Sequence, residues 1–600
     1  MSEAYPPLSA PAAALPSAPP AVHTSDDRFE SQPPQGFDRA APRIDRAAAV
    51  LGCLTVVLGN WKYLAGLDEI LDPVTSMEPY YIDMAARSIA DIVSGDPAWG
   101  PLYALWLKAF RAVFADPLAV HAANVAALSL ALSTAMYFLL LILTRRAALA
   151  TVGALIFMIS NLNVPLPSKV CSFAILLVLL GLTAGELVPR GSPRLAVTAV
   201  ATLLASYARP EFYVAGLCMW AAALWQGRRE PPVRRAWLAG GSVAIAMVAI
   251  GVGTPPWSPD YDGGRLFDAF REHFAWNWAH WNDGHAAFAA IWQQEFGAAD
   301  GIVAAALANP SAVMRHVAAN LAGALRFATN GVFAHPPLLA PADVPVLVQV
   351  ENAALIMAAL GAIAVVAFSA SRRDRAALRY GHLAIPVAAL ALISIAAAIL
   401  IFPAPHYLAP LGVLILIVAV LAISLPIDQV DVPIDAPPRW GRRAMAAALA
   451  IAVLPTPFVL PADSHAFGWR FAGDVTVARK LTDTVLQVRA LGLPPPVHVL
   501  TFTDGIAEMM GAGYEEIKIW GLRGQTLEEY IRARHVDVIV TMERGRQSFH
   551  TDDVYWHVIE TEPHKAGFTR LPTRDPRAVR VYVRTALLPE PNAEESPRYE

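Results

Sequence analysis

Three stretches of this 600-residue chain, Ala122–Leu143, Val346–Ala370 and Leu383–Phe402, each run for about twenty residues or more with at most one charged side chain. A helix needs roughly 20 apolar residues to cross the ~30 Å hydrocarbon core of a bilayer, and a soluble amphipathic helix of that length would keep one polar face. The composition agrees, with 56% hydrophobic and 16% charged residues, against about 25% charged in soluble proteins. A simple soluble enzyme is excluded, and Pro and Gly are too few for a mainly disordered chain. The net charge of −4 gives no electrostatic basis for a nucleic-acid partner. Cys53, Cys171 and Cys218 all lie in apolar stretches, so neither a metal-binding spacing nor a disulfide framework is expected. The sequence predicts a polytopic α-helical membrane protein.

Residues 1–45 are rich in Pro, Ala and Ser and are expected to be a disordered N-terminus, without the basic-then-apolar opening of a signal peptide. Between 46 and 461 about eleven spans are predicted, near 46–67, 118–143, 147–161, 169–188, 194–209, 210–226, 236–253, 346–370, 380–402, 406–426 and 443–461. The short loops on the N-terminal side of the bilayer carry arginines throughout: Arg145 and Arg146, Arg190 and Arg194, Arg228 to Arg235, Arg372 to Arg379, and Arg439 to Arg443. The short turns opposite, at 161–169, 208–211 and 402–406, hold only Lys169 and Arg209. The positive-inside rule then predicts a cytoplasmic N-terminus and an outside C-terminus. Two outside loops are long, 68–117 and 254–345. In the tail, β-rich runs Val497–Phe502 and Val536–Thr541 alternate with helical stretches, which predicts a small α/β domain over 462–588 before a flexible end at 589–600. No glycine-rich phosphate loop follows either strand, and no cofactor is expected.

The first outside loop holds the most informative residues. From Pro79 to Val93 the apolar residues Tyr81, Ile82, Ala85, Ile89 and Ile92 recur on one face, and a second amphipathic helix follows Trp99 with Tyr103, Trp106, Phe110 and Phe114. Two such helices between spans fit the interfacial plane, where Trp and Tyr suit the wet–dry boundary. Glu78 opens the first of them. By itself this is equally a helix-start carboxylate favoured by the macrodipole.

An acidic residue just before Pro79-Tyr80-Tyr81, an interfacial helix, a Gly100-Pro101-Leu102-Tyr103 helix and a long following span resemble the GT-C superfamily of polyprenyl-phosphate-sugar glycosyltransferases. The nearest branch holds the protein O-mannosyltransferases and the aminoarabinose transferases of lipid A. Two further pieces are similar: Ala208-Arg209-Pro210-Glu211 and Pro405-His406-Tyr407-Leu408-Ala409-Pro410. The resemblance covers about 46–426 by order and topology. It implies a polyprenyl-phosphate sugar donor, a cell-envelope glycan, lipid or protein acceptor, and contact with membrane lipid. Abundant Arg and Ala against few Lys point, by association, to a GC-rich bacterial genome, hence an inner-membrane protein with a periplasmic tail.

The resemblance implies that Glu78 is the catalytic base. Where the family has an Asp directly before that Glu, this chain has Met77, and Asp72 is the reserve base. For the donor phosphate the implied residues are Arg209, Lys169, His406 and Tyr407; for the rest of the substrates they are Tyr81, Trp99, Tyr103 and Glu211. The chemistry is consistent: a lipid phosphate is a good leaving group, so transfer needs one carboxylate for the acceptor's proton and cations for the developing phosphate charge. Charged residues at the ends of apolar spans are costly, which favours a role for them. Their plainer readings are snorkelling of Lys169 and Arg209 to the surface, and a local Arg209–Glu211 pair holding a turn.

The loop 254–345 carries an aromatic–polar cluster, His273, Phe274, Trp276, Trp278, His280, Trp281, Asp283 and His285. The histidine spacings do not bring three imidazoles onto one helical turn, so no metal is expected, and sugar stacking or docking on the bilayer is the fitting use. Two other functions remain open at this point. A lipid or polysaccharide transporter predicts ionisable residues near the midplane and an internal repeat, whereas most of these lie at span ends. A silent scaffold would leave Glu78, Arg209 and the interfacial helices unexplained.

Overall fold

The structure, a computed structural model, describes residues 44–64, 78–94, 100–160, 162–163, 169–254, 265–279, 284–330, 346–368, 370–427, 480–501, 505–519, 526–542, 553–573 and 579–589. It is predominantly helical. Helix α1 (Arg46–Leu64) precedes three short helices, α2 (Glu78–Ala86), α3 (Ile89–Ser94) and α4 (Leu102–Arg111), and the long α5 (Pro117–Thr144). Next come α6 (Ala147–Ile159), α7 (Lys169–Leu187), α8 (Ser192–Ser206), α9 (Phe212–Gly227) and α10 (Pro232–Val252). The second long loop folds as α11 (Arg265–Ala279), α12 (Gly284–Phe296), α13 (Ile302–Ala308) and α14 (Pro310–Asn330). Helices α15 (Val346–Phe368), α16 (Ala370–Tyr380), α17 (Ala384–Leu400) and α18 (Pro405–Ile427) complete the bundle.

Among the described residues five helical segments are long and apolar enough to cross a membrane: α5, α7, α10, Gly381–Leu400 and His406–Leu425. A sixth is added if α13 and α14, bent by 117° at their junction, count as one broken span; Pro310 cannot donate to the preceding turn, and the break falls there. That is fewer than the spans predicted from hydropathy. Stretches 147–161, 194–209 and 210–226 become helices of 13, 15 and 16 residues, because turns at Ser160 and at Tyr207–Arg209 interrupt the apolar run. The predicted span at 443–461 lies outside the described residues. Only 6% of the α10 window is buried, against 78% for that of α18, and Trp237, Val243, Met247 and Ile250 of α10 are all exposed. An apolar surface of this extent suits lipid far better than water.

Local chemistry explains where the central helix starts and stops. Asp116 Oδ1 accepts from the Leu118 N–H at 3.2 Å and Pro117 fills the first helical position of α5. The other end closes where Arg145 adopts φ 60°. There Arg379, at the end of α16, donates to the carbonyls of Leu143 (3.4 Å) and Thr144 (3.2 Å), putting a cation on the negative helix terminus.

The tail folds as a five-stranded sheet, β1 (Val497–Thr501), β2 (Tyr514–Lys518), β3 (Val538–Met542), β4 (Phe568–Leu571) and β5 (Val579–Arg584), in the order β2-β1-β3-β5-β4. β1 runs parallel to β2 and β3, while β5 is antiparallel to β3 and β4. The two-residue period divides the sheet cleanly. Leu500, Ile539 and Tyr582 face one way and pack with Tyr530, Trp556 and Phe568. Val497, Val499, Val538, Val540, Val581 and Val583 face the other way, toward Val485, Val488, Ile506 and Met509, in a core continuous with the helical bundle.

That continuity is made at one seam. Gly505, at φ +91°, lies so close to α2 that a Cβ there would stand 2.2 Å from Pro79 Cβ. Arg489 bonds the Asp116 carboxylate through Nη2 (2.8 Å) and the Met510 carbonyl through Nε (2.9 Å). The tail therefore grips α2 next to Glu78 and α5 at its N-cap.

Candidate active site

Glu78 stands in the first turn of α2 and is 2% exposed. Its Oε1 accepts from the Tyr103 hydroxyl of α4 at 2.6 Å and from Asn124 Nδ2 of α5 at 2.7 Å. Asn124 is itself held by Trp106, whose indole N–H donates to Oδ1 at 2.7 Å. One turn earlier on the same face of α5, His121 Nδ1 lies 3.9 Å from Glu78 Oε1, beyond hydrogen-bond reach. Both nitrogens of this 3% exposed imidazole lack a hydrogen-bond partner among the described residues. Lys169, the first residue of α7, is also 3% exposed, and its charge acts on both Glu78 and His121.

Aromatic packing fixes the frame. The Tyr81 and Tyr103 rings meet edge to face at 5.0 Å. Phe173, one turn along α7 from Lys169, packs on Tyr103 (5.6 Å) and on Trp106 (5.4 Å). The helix that carries the lysine thus packs against α4, whose Tyr103 hydroxyl donates to the carboxylate.

Electrostatics follow from this geometry. Burial by itself would raise the Glu78 carboxyl, but His121, the Lys169 ammonium and the Tyr103 hydroxyl outweigh it and hold the group below the ordinary carboxylate range. Burial, and then the Glu78 charge, push the Tyr103 phenol well above its usual value. Tyr103 keeps its proton and acts as a donor. The site holds a buried negative charge.

A second cluster sits at the turn between α8 and α9. Arg209, 7% exposed, donates from Nε to Glu211 Oε1 at 2.7 Å, and its guanidinium lies 5.1 Å from the Tyr407 ring centroid. His406 and Tyr407 rings are 4.3 Å apart, and the Cys171 thiol donates to the His406 carbonyl at 3.0 Å. Gly100, at φ +67°, meets the same turn so closely that a Cβ would stand 2.0 Å from the Tyr207 carbonyl oxygen. No other residue type fits there, and the contact ties the start of α4 to the Arg209 turn.

The two clusters share the first turn of α7. Lys169 and Cys171 are two residues apart, about 200° around a helix, so one faces Glu78 and the other faces His406 and Arg209. Of the residues singled out from sequence, Glu78, Tyr81, Tyr103 and Lys169 belong to the first cluster, and Arg209, Glu211, His406 and Tyr407 to the second. Asp72 and Trp99 lie outside the described residues. Sequence reasoning missed His121, Asn124 and Trp106 as site residues; the available signal was a polar pair three residues apart at the mouth of an otherwise uncharged span.

The aromatic cluster of the second loop adjoins the second cluster, with Tyr407 packed against it. His273 stacks on Phe402 with centroids 4.9 Å apart, and Asn320 Nδ2 donates to the carbonyls of Ile399 (2.9 Å) and Ile401 (3.2 Å), closing the end of α17. Among the described residues no three His, Cys, Asp or Glu side chains converge as a metal site would require. His280, Trp281 and Asp283 lie outside the described residues.

No family model matches the chain, and no curated protein sequence matches it.

Proposed function

We propose that this chain is a membrane glycosyltransferase of GT-C type. It moves a sugar from a polyprenyl-phosphate donor to a hydroxyl of a cell-envelope acceptor, with inversion at the anomeric carbon. The reading includes about eleven spans, a cytoplasmic N-terminus, and a site and tail on the periplasmic face of a bacterial inner membrane. The observation that carries it is the buried Glu78 carboxylate, kept anionic beside Lys169 and joined through α7 to the Arg209 cluster.

That arrangement divides the labour the reaction needs. As the acceptor oxygen approaches the anomeric carbon, its proton has to leave, and a fixed, buried negative charge favours the departure. The bond to the leaving phosphate breaks on the opposite face, where Arg209 offsets the charge that develops, while Lys169 faces Glu78. Tyr407 supports the guanidinium from its ring face.

The test is turnover by the purified protein in detergent, given a polyprenyl-phosphate sugar and envelope extract. Wild-type protein is expected to release polyprenyl phosphate without sealed vesicles, and Glu78→Gln to lose at least a hundredfold in rate, the usual range for a missing acid–base group. Absence of wild-type turnover, or a Glu78→Gln rate within a few-fold of wild type, defeats the proposal.

A further inference from the structure

We propose that the atom which takes the acceptor's proton is Nε2 of His121, with Glu78 as the fixed counter-charge that stabilises the imidazolium. This rests on the transfer reading above and names the proton acceptor within it.

Three observations carry the assignment. Glu78 Oε1 is already engaged by Tyr103 and Asn124, and a carboxylate so well satisfied holds an extra proton poorly. An effective general base has a proton affinity matched to the working pH. Second, His121 is buried with neither nitrogen hydrogen-bonded among the described residues. Buried polar groups are normally paired, so an imidazole left open beside a carboxylate is suited to a ligand that the chain does not itself supply. Third, Nδ1 faces Glu78 at 3.9 Å. With its proton there, Nε2 on the far side of the ring presents a lone pair. A carboxylate that stabilises the protonated form of an imidazole is an arrangement known to work in acyl transfer, and a hydrogen bond between the two needs Nδ1 to close in from 3.9 Å.

The step balances. The acceptor oxygen forms a bond to the anomeric carbon, and the bond from that carbon to the phosphate oxygen breaks with its electron pair leaving on the polyprenyl phosphate. The hydroxyl proton moves to His121 Nε2, giving imidazolium beside Glu78. The departing phosphate, whose second ionisation lies near pH 6, takes the proton and resets the site. The groups that act on His121 are Glu78 on α2 and Lys169 on α7, with the Tyr103 hydroxyl of α4 and Asn124 of α5 bound to the same carboxylate oxygen. The Lys169 ammonium opposes a positive charge on the ring and the Glu78 carboxylate favours it.

The experiment is the transfer rate and donor affinity of wild type, His121→Gln and His121→Ala in detergent, with a polyprenyl-phosphate sugar and envelope extract. His121→Gln is expected to lose about a hundredfold or more in kcat with donor KM within a few-fold. Added imidazole is expected to restore part of the rate to His121→Ala, which a packing role would not allow. A His121→Gln rate within a few-fold of wild type, or no rescue of His121→Ala by imidazole, overturns the assignment and returns the proton to Glu78. Donor affinity within a few-fold of wild type shows each variant to be folded, and its loss in both variants counts against the assignment, since it makes His121 a packing residue. Absence of wild-type turnover is a different result: it overturns the transfer reading and this assignment with it.

Discussion

Gly505 of the C-terminal sheet domain and Pro79 of the helix that carries Glu78 are in direct apposition, with room for no more than a hydrogen on the glycine side. A contact between residues so far apart in sequence makes the tail part of the mounting of the site. Replacing Gly505 by Ala brings both a strained φ of +91° and a collision with Pro79, whereas Gly567 has φ +79° and nothing within 4 Å. Gly567→Ala is therefore expected to cost about 1 kcal/mol from strain alone, and Gly505→Ala clearly more. Thermal unfolding of the two variants in detergent makes the comparison. Equal losses would mean that the seam has slack.

The same seam carries a pH dependence. Burial and the neighbouring Glu516 push the Glu508 carboxyl up to about 7, and Asp83 of α2 adds to the effect. Arg489 and Asp116 lie in the same seam, and Arg87 pairs with Asp83 at 2.9 Å. A carboxyl raised on folding binds its proton more tightly in the folded state, so the stability it confers is complete below its ordinary value near 4.5 and is lost as pH rises to about 7. The loss is on the order of 2–3 kcal/mol. Glu508→Gln is expected to flatten that stretch of the stability–pH curve and to stabilise the protein above pH 7. A variant whose curve parallels wild type would dismiss the effect.

The hydrogen bonds around Glu78 form a network, which a double-mutant cycle can detect. Tyr103→Phe removes one donor from the carboxylate and Asn124→Leu removes another, leaving the Trp106 N–H unpaired as well. Each is expected to destabilise by about 1.5–3 kcal/mol, the range for bonds to a charged group. Because Asn124 also bonds the Tyr103 hydroxyl at 2.7 Å, the double variant should depart from additivity by at least about 0.5 kcal/mol. Strict additivity in denaturant unfolding would contradict a shared network.

Arg209 is expected to bind the phosphate of the lipid donor. Arg209→Gln should weaken binding of a short-chain polyprenyl phosphate about tenfold or more, with Arg209→Lys intermediate, because lysine keeps the charge but loses the planar contact with Tyr407 and the fork toward Glu211. Titration calorimetry in detergent measures it. Unchanged affinity in Arg209→Gln would reduce the Arg209–Glu211 pair to a turn-stabilising role.

Much of this site is legible along the chain because its parts are local. Glu78 with Pro79, Gly100 with Tyr103, and Arg209 with Glu211 each occupy a few consecutive residues, and hydropathy puts Lys169 at the end of a span. The C-terminal sheet is legible in the same way from the β-branched runs around Val499 and Val540. What stays hidden depends on contacts between distant segments. His121 and Asn124 read as ordinary residues of an uncharged span until α2 and α4 are packed beside α5. The Gly505–Pro79 and Arg489–Asp116 contacts join segments hundreds of residues apart, and no periodicity encodes them. Helix length is the other gap: hydropathy counts apolar residues, but breaks at Ser160 and at Tyr207–Arg209 shorten α6, α8 and α9.

The opening turn of α7 makes the carboxylate cluster and the guanidinium cluster a single mechanical part. A shift of that helix by one residue would swing Lys169 away from Glu78 and carry Cys171 off the His406 carbonyl in the same movement. A substitution that moves this turn to alter one cluster therefore alters the other with it.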